Sequence, residues 1–517
     1  MQGVEEEAAQ PNVDWVAMGR QSAAAGDYES AIRWFERAVE LEPTAVALHL
    51  ELGNAYALAG NALRAIECYG AVLRLEPNSA WAWNNLGNVL LELKGLETAA
   101  TCYENAVRSA PTLAAAQYGL GRALHGLGRH EPALEHLQLA CSLNPGHADA
   151  WLNLGNVHHY LGHYDDALSC FDRALPLSSQ PAEVHVNRAM ILLNRGNFGE
   201  GWSEYEYRWE TPGYSAYKKR PLGRPQWKGE SLAGRRILLH AEQGFGDAIQ
   251  FARFIPAVLA RGAEVYLEVR APLKELLAGL VEPGHILVQG EPLPSFDYHC
   301  PLLSLPLALG LEFDSIPSRP YLRVGHTARA AARRAVDKET GGRSTVRAGI
   351  VWKGNPEKRD DALRSLQPAQ LAALFAVPGV RWFVLQREAT AADLAGLPEG
   401  LPVSILPAQH LEGFEAIGAV IEELDLVVSI DTVTAHLAGA LGKPLWLVLP
   451  AFFEWRWHSH LEDSPWYPSA RFFRQQVPGS WTDPLQQLVT ALTEMVRKHG
   501  EDPRPISEAR DVTECEC

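Results

Sequence analysis

Two hydrophobic regimes divide the chain. Through the first two hundred residues apolar positions recur at helical spacing inside a longer period of 34. Gly19, Gly53, Gly87, Gly121 and Gly155 mark that step, with Ala189 at the sixth place. Ala31, Ala65, Ala99, Ala133 and Ala167 keep it too, ending at Gly201, while Phe35, Tyr69, Tyr103, Leu137, Phe171 and Tyr205 form a matching large position. Pro43, Pro77, Pro111 and Pro145 punctuate the repeat ends. Small residues let two helices approach, the large one fills the gap, and proline stops the second helix. From Arg235 onward, short apolar runs alternate with helical stretches, which argues for an α/β sheet. Residues 237–240, 265–269, 348–352, 380–386, 426–430 and 445–449 read as strands; 248–261, 414–423, 434–441 and 483–498 read as helices.

The 34-residue pattern is identified as the tetratricopeptide repeat, five regular units and a sixth degenerate one over residues 12–210. The fold class expected is therefore α plus α/β: a helical solenoid, a connector over 211–234 rich in Pro, Gly and basic residues, and two α/β lobes over 235–325 and 346–498. Residues 326–345 join the lobes as a polar helix and loop, and 499–517 read as a disordered tail. Stacked helix pairs make a groove. Asn54, Asn88 and Asn156 recur at one helix position, and Asn85, Asn153 and Asn187 at another three residues earlier. Such amides can bind an extended peptide backbone, although Asn is also common at these places in tetratricopeptide repeats generally. The sixth unit gains Trp202, Tyr205, Tyr207 and Trp209, an aromatic surface that needs cover, and the following domain is the expected cover.

Composition narrows the function classes. With 46 basic against 62 acidic residues the chain is no general binder of nucleic acid or anionic membrane, and no apolar run approaches membrane-spanning length. The acidic start, MQGVEEEAAQ, lacks the pattern of a signal peptide. Seven scattered cysteines make no disulfide framework, and Cys68, Cys102 and Cys170 share one repeat position, where helix packing explains them. A reducing, cytoplasmic compartment is the expectation. Cys515-Glu516-Cys517 reads as part of an acidic tail, since no polybasic segment precedes it.

The stretch DLVVSIDTVTAHLAGALGKPLWLVLP, 425–450, predicts a strand–helix–strand unit. Its helix would start at the carboxyl end of a strand, where open α/β sheets bind ligands and free N–H groups favour an anion. Asp431, Thr432, Thr434 and His436 are the polar side chains there; a capped helix with a satisfied histidine explains them equally well. Lys353, at a strand end beside Gly354 and Asn355, is placed to neutralise a diphosphate, and surface solvation is the alternative. The turn Gln243-Gly244-Phe245-Gly246-Asp247 is an ordinary loop and N-cap as a bare motif. Trp455, Trp457, Trp466 and Tyr467 could stack a nucleobase or sugar, or seal the two lobes together.

Ser429-Ile430-Asp431-Thr432, His436, and Gly439-Ala440-Leu441-Gly442-Lys443-Pro444 together resemble the signature of the heptosyltransferase-like (family 9-like, GT-B) glycosyltransferases. The resemblance implies a two-lobed GT-B fold and an inverting transfer of a sugar from a nucleoside diphosphate to a hydroxyl of a protein or glycan. It implies a donor diphosphate held by Lys353, Gly354, Asn355, Arg364, Ser365, Asp431, Thr432 and Thr434, with His436 orienting it. An acceptor-side loop of Gln243, Gly244 and Gly246 would present Asp247 as the base. Asp361, Arg364 and Ser365 fit a pattern of the repeat-fused bacterial relatives; Lys358, Ala362 and Val433 depart from it, where His, Arg and Gly are commoner. No Asp-x-Asp and no His/Cys cluster with metal-ligand spacing occurs in the second lobe, so a metal-independent reaction without cofactor is expected, the nucleotide sugar serving as co-substrate. The rival reading is an adaptor that binds a protein or peptide partner through its groove and carries an inactive transferase fold.

Overall fold

The computed structural model describes residues 14–214, 220–341, 345–355, 361–451, 454–459 and 461–501. The chain divides into two compact units, 1–187 and 188–517.

The first unit is a succession of helix pairs. Trp15–Ala24 packs on Tyr28–Leu41, Val46–Leu58 on Ala62–Leu75, Ala80–Glu92 on Leu96–Ser109, Ala114–Gly126 on His130–Leu143, and Ala148–Tyr160 on Tyr164–Ala174. The small and large positions of the repeat meet within each pair. A Cβ added to Gly53 would fall 2.6 Å from the Tyr69 ring, and one at Gly87 2.8 Å from Tyr103. Gly19, Gly121 and Gly155 face Phe35, Leu137 and Phe171 in the same way, so the 34-residue period is a packing constraint.

The second unit holds two sheets, parallel at every described strand pair. The first comprises β1 (Arg236–His240), β2 (Glu264–Val269), β3 (Ile286–Val288) and β4 (Tyr298–Pro301), in the order β3-β2-β1-β4. The second comprises β5 (Val346–Val351), β6 (Val380–Val384), β7 (Val403–Ile405), β8 (Leu426–Ser429), β9 (Leu445–Leu449) and β10 (Ala470–Arg474), in the order β10-β9-β8-β5-β6-β7. From β5 the chain builds outward through β6 and β7, then returns to the other side of β5 and builds through β8, β9 and β10. This is the doubly wound order, and its reversal point lies between β5 and β8. The central strands are buried on both faces, as their continuous apolar runs require.

The repeat pattern runs to about residue 210, yet compactness divides the chain at Asn187, and the aromatic residues explain why. Trp202 and Tyr205 are buried in the same apolar core as the first sheet. Trp202 meets Phe251 and Trp455 edge-on, with ring centroids 5.7 and 5.3 Å apart. The end of the connector joins this core as well: Trp227 is fully buried and its backbone N–H donates to the His299 carbonyl at 2.8 Å. Beneath the other face of the second sheet, Val346, Ile350, Trp382 and Val428 form a separate core with Leu488 and Leu492 of the final helix Thr482–Glu501. Among the described residues no helix is long and apolar enough to cross a membrane.

Candidate functional site

Three sequence clusters converge at the carboxyl ends of β5 and β8. After β5 come Lys353, Gly354 and Asn355; after β8 come Asp431 and Thr432, and then the helix Val433–Ala440 with Thr432 as N-cap. Arg364 ties the two loops together, donating to the Asp431 carbonyl at 2.9 Å and to Asp361 Oδ1 at 3.3 Å. Asp361 also accepts from Ser365 Oγ at 2.8 Å, which in turn accepts the Gly354 N–H at 3.0 Å. A side chain at Gly354 would collide with Asp361 and Arg364, so glycine is what lets this loop lie against them. The Lys353 side chain is exposed, and Asn355 is exposed beside it. Lys358 lies outside the described residues, as does the side chain of Ala362.

The third cluster arrives from the first lobe. The short helix Phe245–Phe251 packs on Val433–Ala440, and Gly246 lies against His436, where a Cβ would fall 2.8 Å from Cδ2. His436 is itself buried. Its ring stacks on Trp457 with centroids 5.2 Å apart, Nδ1 lies 3.1 Å from the Tyr467 hydroxyl, and Nε2 lies 4.0 Å from Asp431 Oδ1. The histidine therefore braces two lobes against each other, with little of its surface left for a ligand. Thr434 is likewise buried, whereas Thr432 is half-buried with Oγ1 3.1 Å from Ser429 Oγ. Gly246→Ala is expected to destabilise the second unit by about 1–3 kcal/mol, the usual cost of overpacking. Denaturant midpoints of the two proteins measure it, and equal values would mean that the helices part without cost.

Asp247 carries two loads. One carboxylate oxygen accepts the Gly244 N–H at 2.8 Å and caps its helix; the other is ion-paired with Arg456. Arg456 is buried, also pairs with Glu454, and donates to Gln250 Oε1 at 2.7 Å. Gln243 donates to the Tyr205 hydroxyl at 2.7 Å, and its carbonyl accepts from Arg270. Arg456 was not among the sequence candidates: a single Arg within an aromatic run has no period to reveal it. The surrounding Trp455, Trp457, Trp466 and Tyr467 are all at least nine-tenths buried, so they seal the lobes and do not offer rings for stacking a base.

A cavity of about 570 Å³ opens beside the first sheet's own reversal point, where β1 and β4 end. His240, Glu242, Gln289, His299, Arg220 and Trp209 line it. Burial pushes the Glu242 carboxyl up to about 7 against the pull of Arg208, which donates to Oε1 at 2.8 Å, while Oε2 is buried with no hydrogen-bond partner among the described residues. Burial likewise holds His240 down at about 3, as a neutral ring.

In the first unit the asparagines bond within and between the repeats themselves. Asn85 donates to Asn54 Oδ1 at 2.8 Å and Asn187 to Asn156 Oδ1 at 2.9 Å, each linking neighbouring repeats. The Tyr69 hydroxyl also donates to Asn54, and that of Tyr103 to Asn88, while Asn153 donates to the Asp149 carbonyl. Their recurrence thus has a structural cause. A cavity of about 410 Å³ remains beside Asn84, Asn88, Tyr118, Arg122 and His147.

Family models of the tetratricopeptide repeat match residues 19–60, 78–145 and 148–180. The first unit is a tetratricopeptide-repeat solenoid. Protein FlbA of Caulobacter vibrioides is 29% identical over 333 residues, covering 60% of this chain and 55% of that protein. The chain thus spans about half the length of the curated relative it matches. Solved structures are similar over about a third of the chain. MamA 41-end from Desulfovibrio magneticus RS-1 is 28% identical, with 32% of this chain and 92% of that one covered and a TM-score of 0.29. YrrB, described as a TPR protein with an unusual peptide-binding site, is 23% identical over 35% of this chain and 92% of its own, also at 0.29.

Proposed function

We propose that the second unit is a GT-B-like glycosyltransferase, taking a sugar from a nucleoside diphosphate to a hydroxyl without a metal, and that the solenoid recruits the protein or peptide partner. The observation that carries this reading is the meeting of the Lys353–Asn355 loop, Arg364 and the N-terminus of Val433–Ala440 at the reversal point between β5 and β8. A diphosphate there would receive first-turn amides, the Thr432 hydroxyl and the Lys353 ammonium. With Thr434 and His436 buried, their part is to fix the helix end. The cavity beside Glu242 lies on the side where the acceptor would enter, and Asp247 is the base in this reaction.

A nucleoside diphosphate is expected to stabilise the protein without added divalent metal, by about 2.7 kcal/mol at one hundred times its dissociation constant. Thermal scans with and without chelator measure this. No shift with any diphosphate, or a shift abolished by chelator, would remove the proposed site.

A second reading, a non-catalytic adaptor, is favoured by the ties on Asp247, whose oxygens already serve Gly244 and Arg456. The repeats support a protein-interaction role under either reading.

A further inference from the structure

We propose that the last helix pair of the solenoid carries a zinc site made of His158, His163 and Asp166. This site is independent of the transferase reading and lies in the other unit. His158 stands in the final turn of Ala148–Tyr160, His163 is the N-cap residue of Tyr164–Ala174, and Asp166 lies in that helix's first turn. The tight turn between them folds the three side chains onto one spot, where one ligand atom from each lies within 4.8 Å of the others.

The two imidazoles meet through Nδ1 in a long hydrogen bond of 3.4 Å. Zinc binds histidine nitrogen at about 2.0–2.1 Å in a tetrahedron, whose edge is about 1.63 times the bond, or roughly 3.3–3.4 Å. The observed separation equals that edge. A comparable pair in the preceding repeat supplies the contrast. His125 and His130 are also five residues apart across a helix turn, with Nδ1 atoms 3.1 Å apart, an ordinary hydrogen-bond length. Both rings pack against Tyr160, and no carboxylate completes a triad there among the described residues.

Other features of the triad suit a ligand role. His163 spends no ring nitrogen on the helix backbone, since as the N-cap residue its side chain makes no cap bond. His158 is buried, which fixes its ring, while His163 and Asp166 are exposed and leave the site open to an incoming ion. Two imidazoles and one carboxylate are a donor set that zinc shares with iron(II), and as a zinc site three protein ligands leave the fourth position for water or for a side chain of a bound partner. Metal binding here would clamp the hairpin of the last repeat pair at the end nearest residue 187.

The test uses the full chain, stripped with chelator and dialysed, in a Cys515→Ser, Cys517→Ser background that removes the terminal thiols as competing ligands. Zinc is titrated by calorimetry and cobalt(II) by visible absorption, where tetrahedral coordination gives an intense d–d band. One zinc per chain and a tetrahedral cobalt band are expected. His163→Ala and Asp166→Asn should each weaken zinc binding tenfold or more, and His130→Ala should leave it unchanged. Both substituted side chains are exposed, so helicity by circular dichroism should be preserved; if one variant does not fold, the other still decides. The proposal falls if neither metal binds, if cobalt gives only the weak octahedral spectrum, if both triad variants bind like the parent, or if His130→Ala costs as much as they do.

Discussion

Arg208→Met is expected to cost the second unit about 3–5 kcal/mol, the penalty for breaking a buried ion pair and stranding its partner. Arg208 is fully buried and joins three segments: it pairs with Glu206 on its own, with Glu242 after β1 at 2.8 Å, and with Ser304 after β4 at 2.8 Å. Methionine keeps an unbranched apolar stem of similar length but not the guanidinium, which lies over the Tyr205 and Trp209 rings, so the loss reports the charge with its hydrogen bonds and ring contacts. The pH dependence identifies the stranded group. Glu242 has a folded pKa of about 7 against an ordinary 4.5, raised chiefly by burial. A raised carboxyl contributes stability that is full below the ordinary value and is lost as pH climbs to the folded value. From this group the protein should therefore be more stable near pH 5 than near pH 8. Without Arg208 the carboxyl rises further, so the penalty should be small at pH 5 and large at pH 8. Urea midpoints at the two pH values measure this, and Arg208→Met combined with Glu242→Gln should flatten the difference. A penalty equal at both values would show that Glu242 is not the group left unpaired.

Arg208 and Arg456 also mark the limit of what the sequence discloses. The solenoid was legible because its constraint is periodic: Gly19, Gly53, Gly87, Gly121 and Gly155, each admitting the large residue of its pair as Gly53 admits Tyr69, follow one another at steps of 34. Strands β5, β8 and β9 were legible because parallel strands buried on both faces must be continuously apolar. The loops at their ends followed, since a strand that stops at Asp431 before a helix puts that helix's N-terminus at the carboxyl edge of the sheet. What could not be read was every pairing without a period. Arg456 meets Asp247 across 209 residues, and Arg208 meets Glu242 across 34 that have nothing to do with the repeat. The family resemblance implied that Thr434 and His436 face a ligand, where local sequence left a capped helix equally open. In the fold their helix is pressed against Phe245–Phe251, which buries both. The aromatic run after β9 was ambiguous for the same reason, because Trp457 serves equally well under a base or under His436 until the facing element is known.

Asp247→Asn separates the two functional readings, and its expected effect on transfer is a fall of 10²–10⁴-fold, the usual worth of a general base. The carboxylate has about four lone-pair sites, of which the Gly244 N–H and the Arg456 guanidinium take one each, so capacity for a proton remains. Asparagine can accept the Gly244 bond through its single oxygen, but then turns its NH₂ toward Arg456. The ion pair is lost, while Glu454 and Gln250 still hold the guanidinium, so a stability loss of about 1–3 kcal/mol is expected, short of unfolding. Donor affinity should not change, because the diphosphate groups at the second sheet are untouched, and a rate loss at constant affinity is the mark of a group acting only in the transition state. Glu454→Gln supplies the control: it perturbs Arg456 and leaves the Asp247 carboxylate in place. If Glu454→Gln loses as much transfer as Asp247→Asn, the ion-pair network matters and the base lies elsewhere. If Asp247→Asn turns over normally, Asp247 is a cap alone. If the unsubstituted protein transfers sugar from no donor that it binds, the same carboxylate, fastened to Gly244 and Arg456, is a structural tie in a solenoid-bearing adaptor.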